Sequence, residues 1–141
     1  MSEVLSQKIA SLQRSVSRAR EELARAGQNF ARDYTAQDAA ILNAMRACET
    51  SIDLANMVIR RRRLGIPNES RESFELLVRE KIVNADLGAR LQRMVGFRNL
   101  AVHRYRELDM QIVATVISKD LDDLLTFAET VRPLLEADSV F

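Results

Sequence analysis

The run Arg98-Asn99-Leu100-Ala101-Val102-His103-Arg104-Tyr105 holds the densest group of reactive side chains in this 141-residue chain, and its histidine is the only one present. An imidazole with a pKa near 6.5 is suited to moving a proton at neutral pH. A guanidinium offers phosphate a fixed, permanently charged fork. Together they suit metal-free cleavage of RNA, in which a base takes the 2′-hydroxyl proton and a cation steadies the charge building on phosphate. Asn99 stands four residues before His103, on the same helical face, where it can orient the imidazole or the phosphate. Arg98 stands five before it, about 140° around an ideal helix. Arg98 and His103 therefore converge on one ligand only through the reach of arginine, or if the helix ends near His103. Chemistry alone leaves a second reading open, a cap or salt bridge at a helix end.

One histidine and one cysteine exclude a zinc site built from a single chain's Cys and His, and any disulfide framework. They also exclude a mechanism that draws two histidines from one subunit. Four Gly and two Pro are too few for an all-β sandwich, which needs a turn about every 8–12 residues. With 47% apolar and 29% charged residues, the composition is that of a soluble protein, and the length suits one domain over residues 1–141. The net charge of +1 hides an asymmetry: residues 107–141 carry eight acids and two bases, the first 106 carry 12 acids and 19 bases. Eighteen of the 21 basic residues are Arg, compatible with phosphate recognition and equally with solvated helix faces. No run approaches the ~18 apolar residues of a membrane span, and no signal-peptide run follows Met1. A cytoplasmic protein with a reduced, packed Cys48 is expected.

Three segments keep an apolar repeat averaging 3.5 residues, the spacing of nearly parallel or antiparallel packed helices. The first runs Leu5, Ile9, Leu12, Val16, Ala19, Leu23, with Gly27 as C-cap candidate. The second runs Ile41, Met45, Cys48, Ile52, Ala55, Ile59, with Thr35 as N-cap and Gly65 and Pro67 as its end. The third runs Val113, Ile117, Asp120, Leu124, Phe127, Val131, Leu134 behind Asp109 as N-cap, with Asp120 out of character. Two shorter helices, capped by Ser70 and Asn84, lie between. The expectation is an all-α up-and-down bundle of five helices. Leu42, Leu54, Met57 and Val58 lie off the main stripe of the second helix, and a helix apolar on more than one side is buried on more than one side. In a short chain a partner subunit can supply that cover, so a homodimer through this helix is expected.

Arg98-x4-His103-x-Tyr105 resembles the Arg-x4-6-His signature of the HEPN superfamily and, in its extended form, that of the HepT toxins. Asp38-Ala39-Ala40, Glu49 to Asn56, Leu64-Gly65-Ile66-Pro67, Ser70 to Phe74 and Met94 to Asn99 resemble the family too. The resemblance implies an all-helical homodimer acting as a metal-independent endoribonuclease, the toxin of a type VII-like toxin–antitoxin pair, with two signatures meeting in a composite cleft. Arg98 and His103 would be catalytic and Asn99 supporting. The implied partner is a minimal nucleotidyltransferase antitoxin of the MNT type, which attaches AMP to Tyr105, where a bulky anion beside His103 would repel RNA. No cofactor and no metal are implied. Glu49 and Asp53, at i and i+4, are candidates to orient Arg98, with exposed ion pairing the equal alternative. Arg60, Arg61, Arg62 and Arg63, with Arg104, are candidates to contact RNA or the antitoxin, although charge at a helix C-terminus is favourable in itself. A non-catalytic module holding nucleotide or RNA, and a purely structural partner of a nucleotidyltransferase, are the alternatives.

Overall fold

The computed structural model describes residues 2–138. Among them there are helices and turns and no strand. The order is α1 (Ser2–Ala26), α2 (Tyr34–Arg62), α3 (Ser70–Arg79), α4 (Ala85–His103), α5 (Met110–Thr115) and α6 (Leu121–Asp138). A five-residue π-helical stretch, Val116–Asp120, joins α5 to α6, so the predicted fifth helix is one rod with a bulge.

The apolar stripes become the core. Leu5, Ile9, Leu12, Val16 and Ala19 of α1 are buried, as are Ile41, Cys48, Ile52, Ala55 and Ile59 of α2. Helix α2 is central and packs against α1, α3, α4 and α6. That position accounts for Leu54, Met57 and Val58, which are buried within the chain itself. The second apolar side of α2 is therefore satisfied without a partner subunit, and it no longer argues for a dimer. Leu42 alone of that group stays exposed. Phe74 of α3 and Phe127 of α6 meet edge to face, with centroids 5.3 Å apart.

Several predicted ends move by a residue or more. Asp33, not Thr35, caps α2, its carboxylate accepting from Ala36 N at 3.0 Å. Its C-terminus closes at Arg63, whose φ of 54° is left-handed, ahead of Gly65 in the following loop. Glu69 is the residue before α3, and Ser70 is its first helical residue, with its hydroxyl used elsewhere. Asn84 and Asp109 cap α4 and α5 as expected.

The π stretch explains Asp120. A π turn adds one residue, so the buried positions run Val113, Ile117, Leu121, Leu124, Phe127, Val131 and Leu135, and Asp120 is displaced to the rim. Leu135 takes the fully buried place expected for Leu134. Arg20 of α1 serves the widened backbone, with Nε donating to Ile117 O and Nη2 donating to Asp122 Oδ1, each at 2.9 Å. Partial burial, then the neighbouring Asp123, push the Asp120 carboxyl above its ordinary range, against Arg93 and Lys119.

Helix α4 runs antiparallel to α2 and closes on α3 where Gly88 faces Val78. A Cβ at Gly88 would lie 2.2 Å from Val78 Cγ2, so any side chain here would force the two helices or Val78 to shift.

Candidate functional site

Helix α4 ends at His103, and Tyr105 begins a separate 3-10 turn, Tyr105–Glu107. Arg98 and His103 both lie within this helix, so their offset of about 140° around its axis remains, and only the reach of the arginine or a ligand spanning the helix end joins them. His103 is exposed on the last turn, and Val102 through Glu107 line an open depression of about 460 Å³.

Arg98 sits one turn and a half deeper, against α2 and α3. Its Nη2 donates to Ser70 Oγ at 2.9 Å. Its Nε is buried and lies 3.0 Å from Glu49 Oε1, close enough for an ion pair although the N–H is not aimed at that oxygen. The side chain is 19% exposed and that of Glu49 56%. Two edges of the guanidinium are thereby anchored to the fold, while Nη1 is engaged by neither contact. An anchored cation with a free edge is what transient phosphate charge needs.

The two candidate acids of α2 part company. Glu49 meets Arg98, but Asp53 pairs with Lys8 of α1, Nζ to Oδ2 at 3.5 Å. Although i and i+4 share a face, one helical turn carries Asp53 beyond the reach of Arg98 and into the α1 side. Asn99 is half-buried beside Arg98. Cys48, packed under this pair, donates to Met94 O at 3.7 Å. Burial pushes its thiol up to about 12, so it is inert in neutral solution.

Tyr105 donates its hydroxyl to Asp38 Oδ1, near the start of α2. Burial and that carboxylate both push the phenol well above its ordinary range. Asp38 and Ser70 are partners of this motif that no spacing in the sequence points to. Both lie in stretches that resemble the family, and Ser70 is also a cap candidate, but each is far from the motif in the chain.

The four arginines are not part of this cluster. Asp38 and Glu49 mark the α2 face that meets α4, and Arg60 lies about 33 Å beyond Asp38 along the helix at 1.5 Å per residue. Arg61 Nη1 donates to Leu135 O at 2.7 Å, tying α2 to α6, and Arg63 is the left-handed cap. Arg60 and Arg62 are exposed. Arg104, by contrast, adjoins His103 and pairs with Glu107 at 3.5 Å.

A second cavity of about 460 Å³, sharing Glu107 with the depression at His103, lies between Phe97, Leu100, Ile112 and Val116, with Arg71, Arg93 and Asp120 also lining it. Among the described residues no cluster of three or more His, Cys, Asp or Glu is placed to hold a metal ion, and no helix is long and apolar enough to cross a membrane.

Comparison with known proteins adds to this geometry. The chain is 39% identical over 132 residues to the mRNA nuclease HepT of Shewanella oneidensis, covering 94% of this chain and 98% of that protein. A solved structure of the tri-AMPylated Shewanella oneidensis HEPN toxin in complex with MNT antitoxin superposes with a TM-score of 0.87 at 39% identity, covering 94% and 99% of the two chains. A toxin–antitoxin structure with AMP-PNP matches at TM-score 0.87 and 38% identity, covering 93% of this chain and 98% of the other. The model of the family described as Ribonuclease HepT-like matches residues 12–131. By its motif, its helix order and these matches, the chain belongs to the HepT-like ribonuclease family of HEPN proteins.

Proposed function

We propose that this protein is the toxin of a toxin–antitoxin pair, an endoribonuclease that cuts RNA without a metal ion and is silenced when a nucleotidyltransferase antitoxin attaches AMP to Tyr105. The observation that carries the reading is Arg98, held by Ser70 and Glu49 with one edge free, one and a half turns below an exposed His103 at a helix end. His103 takes the 2′-hydroxyl proton, the freed oxygen attacks phosphorus, and Arg98 holds the charge on the non-bridging oxygens. The products are a 2′,3′-cyclic phosphate and a 5′-hydroxyl. Asn99 supports the pair from its place next to Arg98, and Arg104 adds charge beside His103.

A homodimer completes the site. Asp38, Leu42, Met45 and Glu49 form one stripe of α2 on the side of Tyr105 and Arg98. Leu42 on that stripe and Val102 on α4 are 46% and 49% exposed, an apolar surface beside polar site residues that a second copy would cover. A second copy also brings a second His103, which a single-histidine chain cannot otherwise supply as the acid for the leaving oxygen. Leu42→Glu is expected to give monomers in sedimentation and to reduce cleavage. The known relatives with an MNT partner support the antitoxin assignment, and a cytoplasmic site of action follows from that role. Arg60 and Arg62, at the other end of α2, are left as a surface for the antitoxin or for RNA outside the cleft. Arg61 and Arg63 serve the fold.

The test is RNA cleavage in excess EDTA by the wild type and by His103→Ala. Cleavage in EDTA that is lost in the variant supports the enzyme. RNA bound but intact in the wild type would favour a binding module, and neither cleavage nor binding would leave a structural partner.

A further inference from the structure

Tyr105 and Asp38 are 67 positions apart in sequence, yet the tyrosine hydroxyl donates directly to Asp38 Oδ1. Both residues are exposed in the single chain, so a partner that reaches this end of α2 meets the contact directly. Nothing else occupies Asp38. The cap of α2 is supplied by Asp33, and no cation pairs with Asp38 among the described residues. The carboxylate meets one proton, and that proton belongs to the oxygen that would be modified. With its hydrogen directed at Asp38, Oη keeps its lone pairs for an incoming phosphorus.

The geometry points to Asp38 as the proton acceptor for adenylylation of Tyr105, so that the toxin supplies the base for its own inactivation. This rests on the reading of Tyr105 as the AMP acceptor. In the step, Tyr105 Oη attacks the α-phosphorus of a nucleoside triphosphate held by the antitoxin. The Oη–P bond forms as the bond from that phosphorus to the bridging oxygen breaks, pyrophosphate leaves, and the phenolic proton passes to Asp38 Oδ1. A neutral phenol is a weak nucleophile, and burial disfavours its anion, so the proton must leave during the attack rather than before it. Once the ester forms, Oη has no proton to donate and the contact to Asp38 ends.

The experiment uses the purified chain, its cognate nucleotidyltransferase and ATP, with AMP addition followed by intact mass and complex affinity measured in parallel. Asp38→Asn retains an oxygen that accepts a hydrogen bond but cannot take the proton, whereas Asp38→Glu retains a carboxylate. The expected result is a slowing on the order of 10²-fold in Asp38→Asn at unchanged affinity, with Asp38→Glu at least about tenfold faster than the Asn variant. A rate for Asp38→Asn within about threefold of wild type overturns the proposal, as does a slowing matched by lost affinity. If Asp38→Asn fails to fold by circular dichroism, Asp38→Glu against Asp38→Gln provides the same contrast. A wild type that gains no AMP, or a Tyr105→Phe variant that gains as much, overturns the assignment of Tyr105 itself. A modified wild type with an equally fast Asp38→Asn overturns only the role of Asp38.

Discussion

Glu49 Oε1 lies 3.0 Å from Arg98 Nε across the α2–α4 contact, whereas Asp53, one turn further along α2, faces Lys8. Glu49→Gln is therefore expected to lower RNA cleavage on the order of 10–100-fold, because a guanidinium held by Ser70 alone loses its alignment with phosphate. Asp53→Asn is expected to leave cleavage within about twofold, since an exposed pair at 3.5 Å is worth less than about 1 kcal/mol. Single-turnover rates on one RNA substrate check both. Equal losses in the two variants would show that the acids act through charge alone.

Arg98→Lys tests the anchoring directly. A lysine keeps the charge but has one nitrogen where Arg98 uses Nε and Nη2 for the fold and leaves Nη1 over. Cleavage should fall on the order of 10²-fold while RNA affinity changes only a few-fold, a separation that rate and binding titrations resolve.

Gly88→Ala sets two effects against each other. Alanine favours a helix interior over glycine by about 1 kcal/mol. The new methyl, however, would stand 2.2 Å from Val78 Cγ2, on a β-branched side chain that cannot swing away. Overpacking of this kind costs about 1–3 kcal/mol, so after the alanine gain a net destabilisation of up to about 2 kcal/mol in urea unfolding is expected. A gain in stability would mean that α3 and α4 separate freely here.

Tyr105 should keep its proton beyond the ordinary tyrosine pKa near 10, since burial and Asp38 both raise it. With the folded value above the unfolded one, the contact's contribution to stability is complete below about pH 10 and is lost as pH climbs through the folded value. Phenolate absorbance followed with pH should show one tyrosine titrating late, absent in Tyr105→Phe and moved downward in Asp38→Ala.

Cys48 should resist alkylation in the native protein at mildly alkaline pH, with its thiol pushed up to about 12 by burial, and react at once in denaturant. Rapid native alkylation would show that the α2–α4 contact beneath Arg98 opens.

The helices, their amphipathic sides and the local motif were legible from residue order alone. Apolar repeats are short-range, and an arginine, a histidine and a tyrosine within eight residues need only one helix end to bring them near each other. Expectation and structure parted where one extra residue or a distant partner intervened. The π stretch at Val116–Asp120 shifts the stripe by a residue, which a fixed 3.5 spacing cannot register. Leu54, Met57 and Val58 looked like an interface because periodicity shows that a side is apolar but not which helix covers it. Three contacts emerged only when the helices packed: Glu49 and not Asp53 meets Arg98, Ser70 binds the guanidinium rather than capping α3, and Asp38 accepts the hydrogen bond of the Tyr105 hydroxyl. Each of those contacts joins residues on different helices. Their geometry depends on how far one rod slides along another and how much it turns, and a difference of one helical turn, about 5.4 Å, is enough to exchange partners.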